Sequence, residues 1–309
     1  MATGIYLHIP FCKSRCSYCD FATDVWRSDD AVERYVNALC DEIPGSTNTD
    51  LNVDTIYFGG GTPSLLSPEH LAKILDVVGI QFDIAADAEV TMEMNPATVS
   101  AATLSAYRQL GVNRASFGVQ TFNDRDLKLL ARGHDANDAR QTFKLLRNAG
   151  FENISIDLIA GLPDQTMVDW KRNLIEAVAM RPEHLSLYLL EIHEGTPLAA
   201  QVKSGRRSAP DEDLAAEMYE VMIDTLADAG YEQYEISNFA KPGFQSRHNS
   251  KYWRLEPVFG FGVSAHSFDG FQRYSNERDT AEYVRRIEEY NTAEMNRERV
   301  DIPAEFVFL

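Results

Sequence analysis

The sequence predicts an α/β fold with a mostly parallel sheet, and three observations indicate it. Short apolar runs recur along the chain, and most of them are followed by a helical pattern. Three of the helical patterns end in glycine and an apolar residue, with a strand-like run soon afterwards. Polar residues and glycines collect directly after the apolar runs, at what would be one edge of the sheet. From these patterns alone the fold is either a partial (β/α) barrel or an open doubly wound sheet.

Seven segments are predicted to be strands. Several are apolar almost throughout, as is typical of parallel strands that helices cover. The segments are Ile5–Ile9, Val53–Phe58, Ala88–Met94, Arg114–Val119, Ile154–Ile159, Leu185–Leu190 and Gln233–Ile236.

The helices are predicted from apolar residues that recur every three or four positions. One stripe consists of Val32, Tyr35, Val36, Leu39, Cys40 and Ile43, which makes Cys40 a small core residue. A long amphipathic helix is predicted over Asp211–Ala229, and the Pro-Gly stretch Lys241–Asn249 is predicted to be a loop. The three glycine endings have the signature of a Schellman motif. They are Leu110-Gly111-Val112, Ala149-Gly150-Phe151 and Ala229-Gly230-Tyr231.

The amino-acid composition restricts the possible classes of protein. The chain of 309 residues is 44% hydrophobic, which is enough for a large folded domain and argues against wholesale disorder. Its net charge of -18 would repel nucleic-acid backbones, so nucleic acid is a poor partner. No apolar run is long enough to span a membrane, and the N-terminus has no signal-peptide pattern. Four cysteines are too few for a disulfide scaffold, so a reducing, cytoplasmic location is expected.

Three of the cysteines lie together in the loop after the first strand, as Cys12, Cys16 and Cys19. At this spacing three thiolates fit a cubane iron–sulfur cluster and leave one of its irons free for another ligand. A structural zinc site is the alternative, and it would need a fourth ligand, for which Asp20 and His8 are nearby candidates. An inert triplet of exposed thiols would be open to oxidation.

Other strand ends carry groups that are suited to a small ligand. Gly59–Gly61 would let the backbone approach a ligand closely, although a plain tight turn would also explain them. Glu93 and Asp157 are suited to ribose hydroxyls or an ammonium group, or they are salt-bridged structural acids. Arg132 lies at the end of a predicted helix, where interaction with the helix dipole is its simplest explanation.

The cysteine motif, with Tyr18 before its last cysteine, resembles that of the radical S-adenosylmethionine (SAM) superfamily. The flanking sequences are similar to the oxygen-independent coproporphyrinogen oxidase group, from about residue 4 to the end of the chain. These sequences are Tyr6–Cys12, Phe58–Ser64, Glu93–Pro96, Ser116–Phe122 and Asp157–Gln165. The resemblance implies an α/β fold, a partial (β/α)6 TIM-like barrel of the radical SAM type with a smaller C-terminal α+β extension.

The same resemblance implies the cofactors. A [4Fe–4S] cluster would be bound by Cys12, Cys16 and Cys19, and SAM would chelate the open iron through its amino and carboxylate groups. One electron from the cluster would cleave SAM to methionine and a 5′-deoxyadenosyl radical. The implied SAM contacts are Tyr6, Tyr18, Gly60, Gly61, Thr62, Glu93, Gln120, Arg132 and Asp157.

Two branches of this group differ just after the cysteine motif. The oxidases carry a further cysteine two residues after the third cluster cysteine, where this chain has Phe21, and they have an N-terminal extension, whereas this chain begins shortly before its first strand. The Cys-Asp-Phe ending and the His-Asn-x-x-Tyr-Trp motif at His248–Trp253 resemble the HemW heme-chaperone branch. That motif implies His248 as the ligand of heme iron, with Tyr252 and Trp253 against the porphyrin.

The roles of two histidines stay open on the residues alone. Without the resemblance, His248 would more simply be a loop histidine bonded to backbone, and His266 is either structural or near the SAM pocket. Two regions are expected: residues 1–205 as the barrel core with cluster and SAM, and residues 206–309 completing the barrel and carrying the heme motif. Because nothing follows the apolar run Glu305–Leu309 to cover it, the native polypeptide is expected to continue.

The resulting hypothesis is a radical SAM-type heme chaperone without coproporphyrinogen oxidase activity. It would deliver heme to acceptor apoproteins such as membrane-associated respiratory enzymes, would need an electron donor for its cluster, and could act as a homodimer. The alternatives are an oxygen-independent coproporphyrinogen III oxidase, another radical SAM enzyme and a zinc protein.

Overall fold

A computed structural model describes residues 2–45 and 51–300 of the chain. Within these residues the strands, in chain order, are β1 (Thr3–Ile9), β2 (Phe11–Cys12), β3 (Asp24–Val25), β4 (Asn52–Gly60), β5 (Asp83–Met94), β6 (Arg114–Gln120), β7 (Asn153–Ala160), β8 (His184–Leu189), β9 (Glu232–Gln233), β10 (Asn238–Ala240), β11 (Val258–Phe261), β12 (His266–Phe268), β13 (Gln272–Asn276) and β14 (Glu294–Arg299). The helices are α1 (Asp29–Glu42), α2 (Pro68–Gln81), α3 (Ala101–Gln109), α4 (Asp124–Leu129), α5 (Ala136–Asn148), α6 (Met167–Met180), α7 (Pro197–Lys203), α8 (Glu212–Asp228), α9 (Arg247–Trp253) and α10 (Thr280–Tyr290).

The main sheet has the strand order β14-β13-β12-β11-β1-β4-β5-β6-β7-β8-β10-β9. From β11 to β8 all neighbours are parallel, whereas the strands outside this central run pair antiparallel. The strands from β1 to β8 follow one another in sequence order and the sheet is not closed, so the expectation of a partial barrel is confirmed.

Helix ends and packing follow the sequence pattern. After α3, the Val112 N–H donates to Tyr107 O at 3.0 Å and the Gly111 N–H donates to Arg108 O at 3.1 Å, which is the Schellman arrangement. Gly111 has a φ of 99°, a conformation that costs a residue with a Cβ more than it costs glycine. The stripe of α1 is buried as predicted, and Cys40 belongs to the main core at 7% exposure.

Alternate residues of the strands divide between the helix-covered face and the barrel interior. On β1, Ile5, Leu7 and Ile9 belong to the hydrophobic core under the helices and are 0% exposed. Tyr6 and His8, between them, line a cavity inside the barrel. The polar groups of the site are therefore held by strands whose other face is the core.

The C-terminal part of the chain differs from the sequence prediction in two places. The segment Gln233–Ile236 is not a parallel strand: β9 ends at Gln233, and its chain turns back into β10, which pairs antiparallel with β8. The predicted loop Lys241–Asn249 ends early, because α9 begins at Arg247. Its start is fixed by Ser246, whose hydroxyl accepts the Asn249 N–H at 3.2 Å.

Strands after residue 205 add to both edges of the central sheet, because β10 pairs with β8 and β11 pairs with β1. The division at residue 205 stays a prediction, and the apolar run Glu305–Leu309 lies outside the described residues. Among the helices that the structure describes, none combines the length and the apolar character that a membrane span needs.

Candidate functional site

Two neighbouring cavities open at the carboxyl ends of the parallel strands. The first, which we call the cysteine cavity, has a volume of about 410 Å³ and is lined by Cys12, Cys16 and Cys19. The second, the motif cavity, has a volume of about 430 Å³ and is lined by Tyr252 of α9. Both volumes are in the range of ligand-binding pockets. The cavities share four lining residues, namely Asp20, Phe21, Gly60 and Glu93.

The cysteine loop is held at both ends and in the middle by backbone hydrogen bonds. The short strands β2 and β3 pair on either side of it. Within the loop, the Ser17 N–H donates to Leu130 O at 3.0 Å, and Ser17 O accepts the Leu198 N–H at 2.8 Å. The loop therefore has a fixed path over the strand ends.

The thiols of the loop already have hydrogen-bond donors. The Thr62 hydroxyl lies 3.4 Å from the Cys12 Sγ, and Arg132 Nη1 lies 3.4 Å from the Cys16 Sγ. Burial nevertheless raises the pKa of both Cys12 and Cys19, so their thiolate forms lack sufficient compensating charge in the protein alone. Bound iron ions would supply that charge, so the donor set fits an iron–sulfur cluster.

The geometry does not suit one zinc ion. Sulfurs that bind a single zinc at about 2.3 Å lie less than about 4 Å apart. Residues 2–45 and 51–300 contain no group of three His, Cys, Asp or Glu side chains arranged to hold one metal ion. His8, a candidate fourth ligand, is 6% exposed and has its Nε2 hydrogen-bonded to Ala22 O at 2.9 Å.

The glycine triplet brings the end of β4 against the start of the cysteine loop. A Cβ on Gly61 would lie 2.5 Å from Pro10 O, which is a clash with backbone. Gly60 has a φ of +108° and faces the His8 ring, so it too favours glycine. The triplet is thus a tight, packed turn, and Gly60 and Gly61 also line the cysteine cavity. The tight-turn interpretation is confirmed, and the role of the triplet in binding a ligand stays a prediction.

Two carboxylates, Glu93 and Asp157, line the cysteine cavity, and neither forms a salt bridge with another described residue. Glu93 accepts hydrogen bonds from the Tyr57 hydroxyl at 2.8 Å and from the Gly60 N–H at 3.1 Å. Burial, and secondarily repulsion from Asp157, raises the pKa of Glu93 to about 7. Burial also raises the pKa of Asp157. Both groups are therefore available to bind hydroxyls or a cation.

Arg132 is not a helix-dipole partner. Its Nη2 donates to Gly118 O at 2.6 Å and to Asn95 Oδ1, while its Nη1 reaches Cys16. It therefore links the cysteine loop to the ends of β5 and β6. Gln120, at the end of β6, has a φ of 68°, an uncommon conformation for a residue other than glycine that is often found at functional sites.

Most of the SAM contacts implied by the sequence meet in the cysteine cavity. Its lining includes Tyr18, Gly60, Gly61, Glu93, Gln120, Arg132 and Asp157. Two implied contacts do not line it. Thr62 lies behind Cys12, and Tyr6 lines the motif cavity, where its hydroxyl hydrogen-bonds to His8 Nδ1 at 3.1 Å.

One interior residue was missed by the sequence analysis. Arg114 is 1% exposed, and its Nε and Nη1 have no hydrogen-bond partner among the described residues. Its charge lowers the pKa of both Glu93 and Asp157, against the larger effect of burial. An arginine at the start of an otherwise apolar strand was the available signal.

The heme motif lies on α9, and its histidine is inside the protein. His248 is 1% exposed. Its Nδ1 lies 2.9 Å from Thr55 Oγ1 and its Nε2 lies 3.2 Å from the Tyr252 hydroxyl. Burial, together with Lys251 and Arg114, lowers its pKa to about 3, so the ring is neutral. His248 is thus neither in a loop nor bonded to backbone through its ring.

The other two motif residues are at the surface. Tyr252 is 45% exposed and Trp253 is 42% exposed. Tyr252 lines the motif cavity, with His266 of β12, Arg278 from the turn between β13 and α10, and Phe21 from the end of the cysteine loop. Phe21 is 62% exposed and lines both cavities.

Comparison with known proteins agrees with this geometry. The family model of the radical SAM superfamily matches residues 6–174. The heme chaperone HemW of Synechocystis is 40% identical over 295 residues, which is 94% of this chain and 72% of that protein. The heme chaperone HemW of Bacillus subtilis is 40% identical, covering 92% of this chain and 76% of that one. Coproporphyrinogen III oxidase (HemN) of Escherichia coli, a radical SAM enzyme, superposes with a TM-score of 0.84 at 26% identity, over 97% of this chain and 72% of its own.

Proposed function

The chain belongs to the HemW heme-chaperone family of the radical SAM superfamily, and we propose that it binds heme beside a cluster-and-SAM site and delivers that heme to acceptor proteins. One observation carries this proposal: Tyr252 of the heme motif and Phe21 of the cysteine loop line the same cavity. That cavity adjoins the one lined by the three cysteines. A flat apolar cargo held there would be in contact with the cluster site.

In the cysteine cavity, Cys12, Cys16 and Cys19 would bind a [4Fe–4S] cluster, with Thr62 and Arg132 donating hydrogen bonds to two of the sulfurs. The cluster, when bound, supplies one electron for reduction of SAM.

The protein's part at this site is to orient SAM. Glu93 and Asp157 would bind its hydroxyl or ammonium groups, and the backbone of Gly60 and Gly61 would approach its amino-acid moiety. Tyr18, Gln120 and Arg132 would complete the wall of the cavity. We propose that Tyr6 and Thr62 contribute to SAM binding indirectly. Tyr6 is hydrogen-bonded to His8, and Thr62 is hydrogen-bonded to Cys12.

In the motif cavity, α9 would provide one wall of the cargo site. Tyr252 offers an aromatic surface to the porphyrin, and Trp253 lies next to it on the same helix. Direct ligation of heme iron by His248 would require its Nε2 to leave the Tyr252 hydroxyl. Ligation of heme iron by His248, which the motif implies, stays a prediction, and the heme spectra of the histidine variants described below test it.

The acceptors we propose are heme-requiring apoproteins, including membrane-associated respiratory enzymes, and an electron donor would serve the cluster. We also propose that the protein is cytoplasmic, that it forms a homodimer, and that its two regions meet near residue 205. The net charge of -18 supports protein partners over nucleic acid.

A second candidate, coproporphyrinogen III oxidase, is favoured by the close structural similarity to HemN. Phe21 at the junction of the two cavities argues for the chaperone, because the oxidases have a cysteine at this position and Phe21 instead offers apolar surface.

The proposal is tested by titrating ferric heme into the cluster-loaded protein and following the Soret band. Saturable binding of one heme per chain is expected, with weaker binding after Tyr252→Ala. Tyr290→Ala is the matched control, because Tyr290 is an exposed tyrosine on α10 that lines neither cavity. Absence of saturable binding by the wild-type protein would rule out the chaperone function.

A further inference from the structure

We propose that His266, and not the motif histidine His248, is the imidazole that binds heme iron in the motif cavity. This inference rests on the proposed function, since it names the ligand for the same cargo. It starts from a contrast between the two histidines: His248 is 1% exposed, whereas His266 is exposed and lines the motif cavity.

The lone pair that would bind iron is occupied in His248. Its Nδ1 is paired with Thr55 and its Nε2 with Tyr252, so both ring nitrogens already have partners. The ring also lies against the aromatic rings of Tyr57 and Tyr252, with centroids 5.1 and 5.5 Å away. Iron could reach this ring only after Tyr252 moved out of the way. His248 is therefore suited to holding Tyr252 in position.

His266 has the opposite environment. It begins β12, and its side chain has no hydrogen bond or salt bridge with any residue in the described ranges. Its backbone is fixed, because His266 pairs with Ser275 of β13 and its carbonyl lies against Gly260, where a Cβ would come within 2.4 Å. His266 thus combines an imidazole that is unpaired within the described residues with a backbone position that strand pairing fixes.

The rest of the cavity suits a flat molecule with acidic substituents. Phe21 and Tyr252 offer aromatic surface, and both are substantially exposed. Arg278 is the cationic side chain among the lining residues, and it is held in place by donating to Asp20 O at 2.8 Å. Heme carries two carboxylate groups at one edge, and arginine is well suited to binding them. His266 is thus suited to the heme iron, Phe21 and Tyr252 to the porphyrin ring, and Arg278 to the carboxylate groups.

The binding step is a ligand exchange. The His266 ring nitrogen that carries no hydrogen would donate its lone pair to the heme iron, and a water molecule bound to the iron would leave. No electron is transferred. No proton is released either, because the nitrogen that binds iron carries no hydrogen. The cysteine cavity takes no part in this step.

Heme titration of the cluster-loaded, full-length chain tests the assignment. His266→Ala should weaken ferric heme binding at least tenfold and shift the Soret band, and free imidazole added to this variant should restore the wild-type band. A merely structural role of His266 would give no such rescue. His248→Ala should weaken binding without moving the Soret maximum. His70→Ala, on the outer helix α2, should match the wild type.

The possible outcomes distinguish a wrong ligand assignment from a wrong heme-chaperone function. If the wild type binds heme and His266→Ala gives the same affinity and spectrum, the inference is overturned and the chaperone function stands. If His248→Ala moves the Soret band and imidazole restores it, His248 is the ligand and the inference is likewise wrong. If the wild type does not bind heme, both fail. His266→Gln, with unfolding curves for each variant, guards against loss of fold as the cause.

Discussion

The cysteine cavity and the motif cavity lie side by side, yet they are built in different ways. The cysteine cavity is formed by the ends of five consecutive parallel strands, β4 to β8, and one loop that hydrogen bonds hold in place. The motif cavity is closed by α9 and by strands from the C-terminal part of the chain, which reach β1 through β11. The first is preorganised by the barrel. The second depends on how a later segment packs against the barrel, and so it is the part in which function can diverge between relatives.

The largest expected effect is confined to the cysteine cavity. Replacing Cys12, Cys16 and Cys19 together by alanine should abolish cluster assembly, so that iron falls from about four per chain to none. Heme affinity should fall less than tenfold, because the motif cavity contains none of these side chains. Iron analysis and heme titration on the same sample check both statements. Complete loss of heme binding would mean that the two cavities form one site.

The next effect concerns the turn after β4, where it packs against the start of the cysteine loop. Gly61→Ala should lower the free energy of unfolding by about 3 kcal/mol or more, because the new Cβ would meet the backbone of Pro10 at 2.5 Å. Gly79→Ala is the control: nothing lies within 4 Å of its Cβ, and in helix α2 it should stabilise by about 0.5–1 kcal/mol. Urea unfolding measures both. A stable Gly61→Ala protein would show that the turn can relax.

A pH effect on stability is expected where α1 packs against the C-terminal part of the chain. Glu42 accepts hydrogen bonds from the Gly262 N–H and the Tyr283 hydroxyl, both in the C-terminal part of the chain. Burial outweighs these bonds and raises the pKa of Glu42 to about 7.

Because the folded-state pKa lies above the unfolded value, the folded protein holds the proton more tightly. This contribution is complete below about pH 4.5 and is lost as the pH rises through 7, by up to about 3 kcal/mol. Urea unfolding of the wild type and of Glu42→Gln between pH 5 and 8.5 isolates it, since glutamine cannot ionise. A difference between the two proteins that does not change with pH would refute the assignment.

The smallest effect concerns the carboxylates of the cargo. Arg278→Gln should weaken heme binding roughly fivefold, about 1 kcal/mol, because an exposed charge-assisted contact contributes little in water. The Soret maximum should stay where it is, in contrast to His266→Ala. A shifted maximum would mean that Arg278 controls the iron ligand and not the edge of the ring.

Local patterns were sufficient to predict a parallel α/β fold, whereas the partial barrel was predicted from the resemblance to the radical SAM superfamily. Several of the parallel strands are nearly continuous apolar runs, and each glycine ending fixes the end of one helix within a few residues. The strand β11 was missed because its four residues include Gly260 and its partner β1 lies at the other end of the chain. Pairing over such a distance leaves no local signal in a single sequence.

Some residues of the candidate site could likewise be predicted from local sequence, and others could not. The cysteine loop and most of the cavity lining could be predicted, because their positions at strand ends follow from the fold class. The burial of His248 could not, because it depends on Thr55, which is 193 residues away. Arg132 was placed correctly at a helix end, but its contacts with Cys16 and Gly118 depend on the packing of three separate elements.

The central claim is that this radical SAM protein binds and delivers heme and does not oxidise coproporphyrinogen III to protoporphyrinogen. Anaerobic incubation of the cluster-loaded protein with coproporphyrinogen III, SAM and a reductant, in parallel with a heme titration, tests it most directly. The account predicts one bound heme per chain and no protoporphyrinogen. Formation of protoporphyrinogen would contradict it.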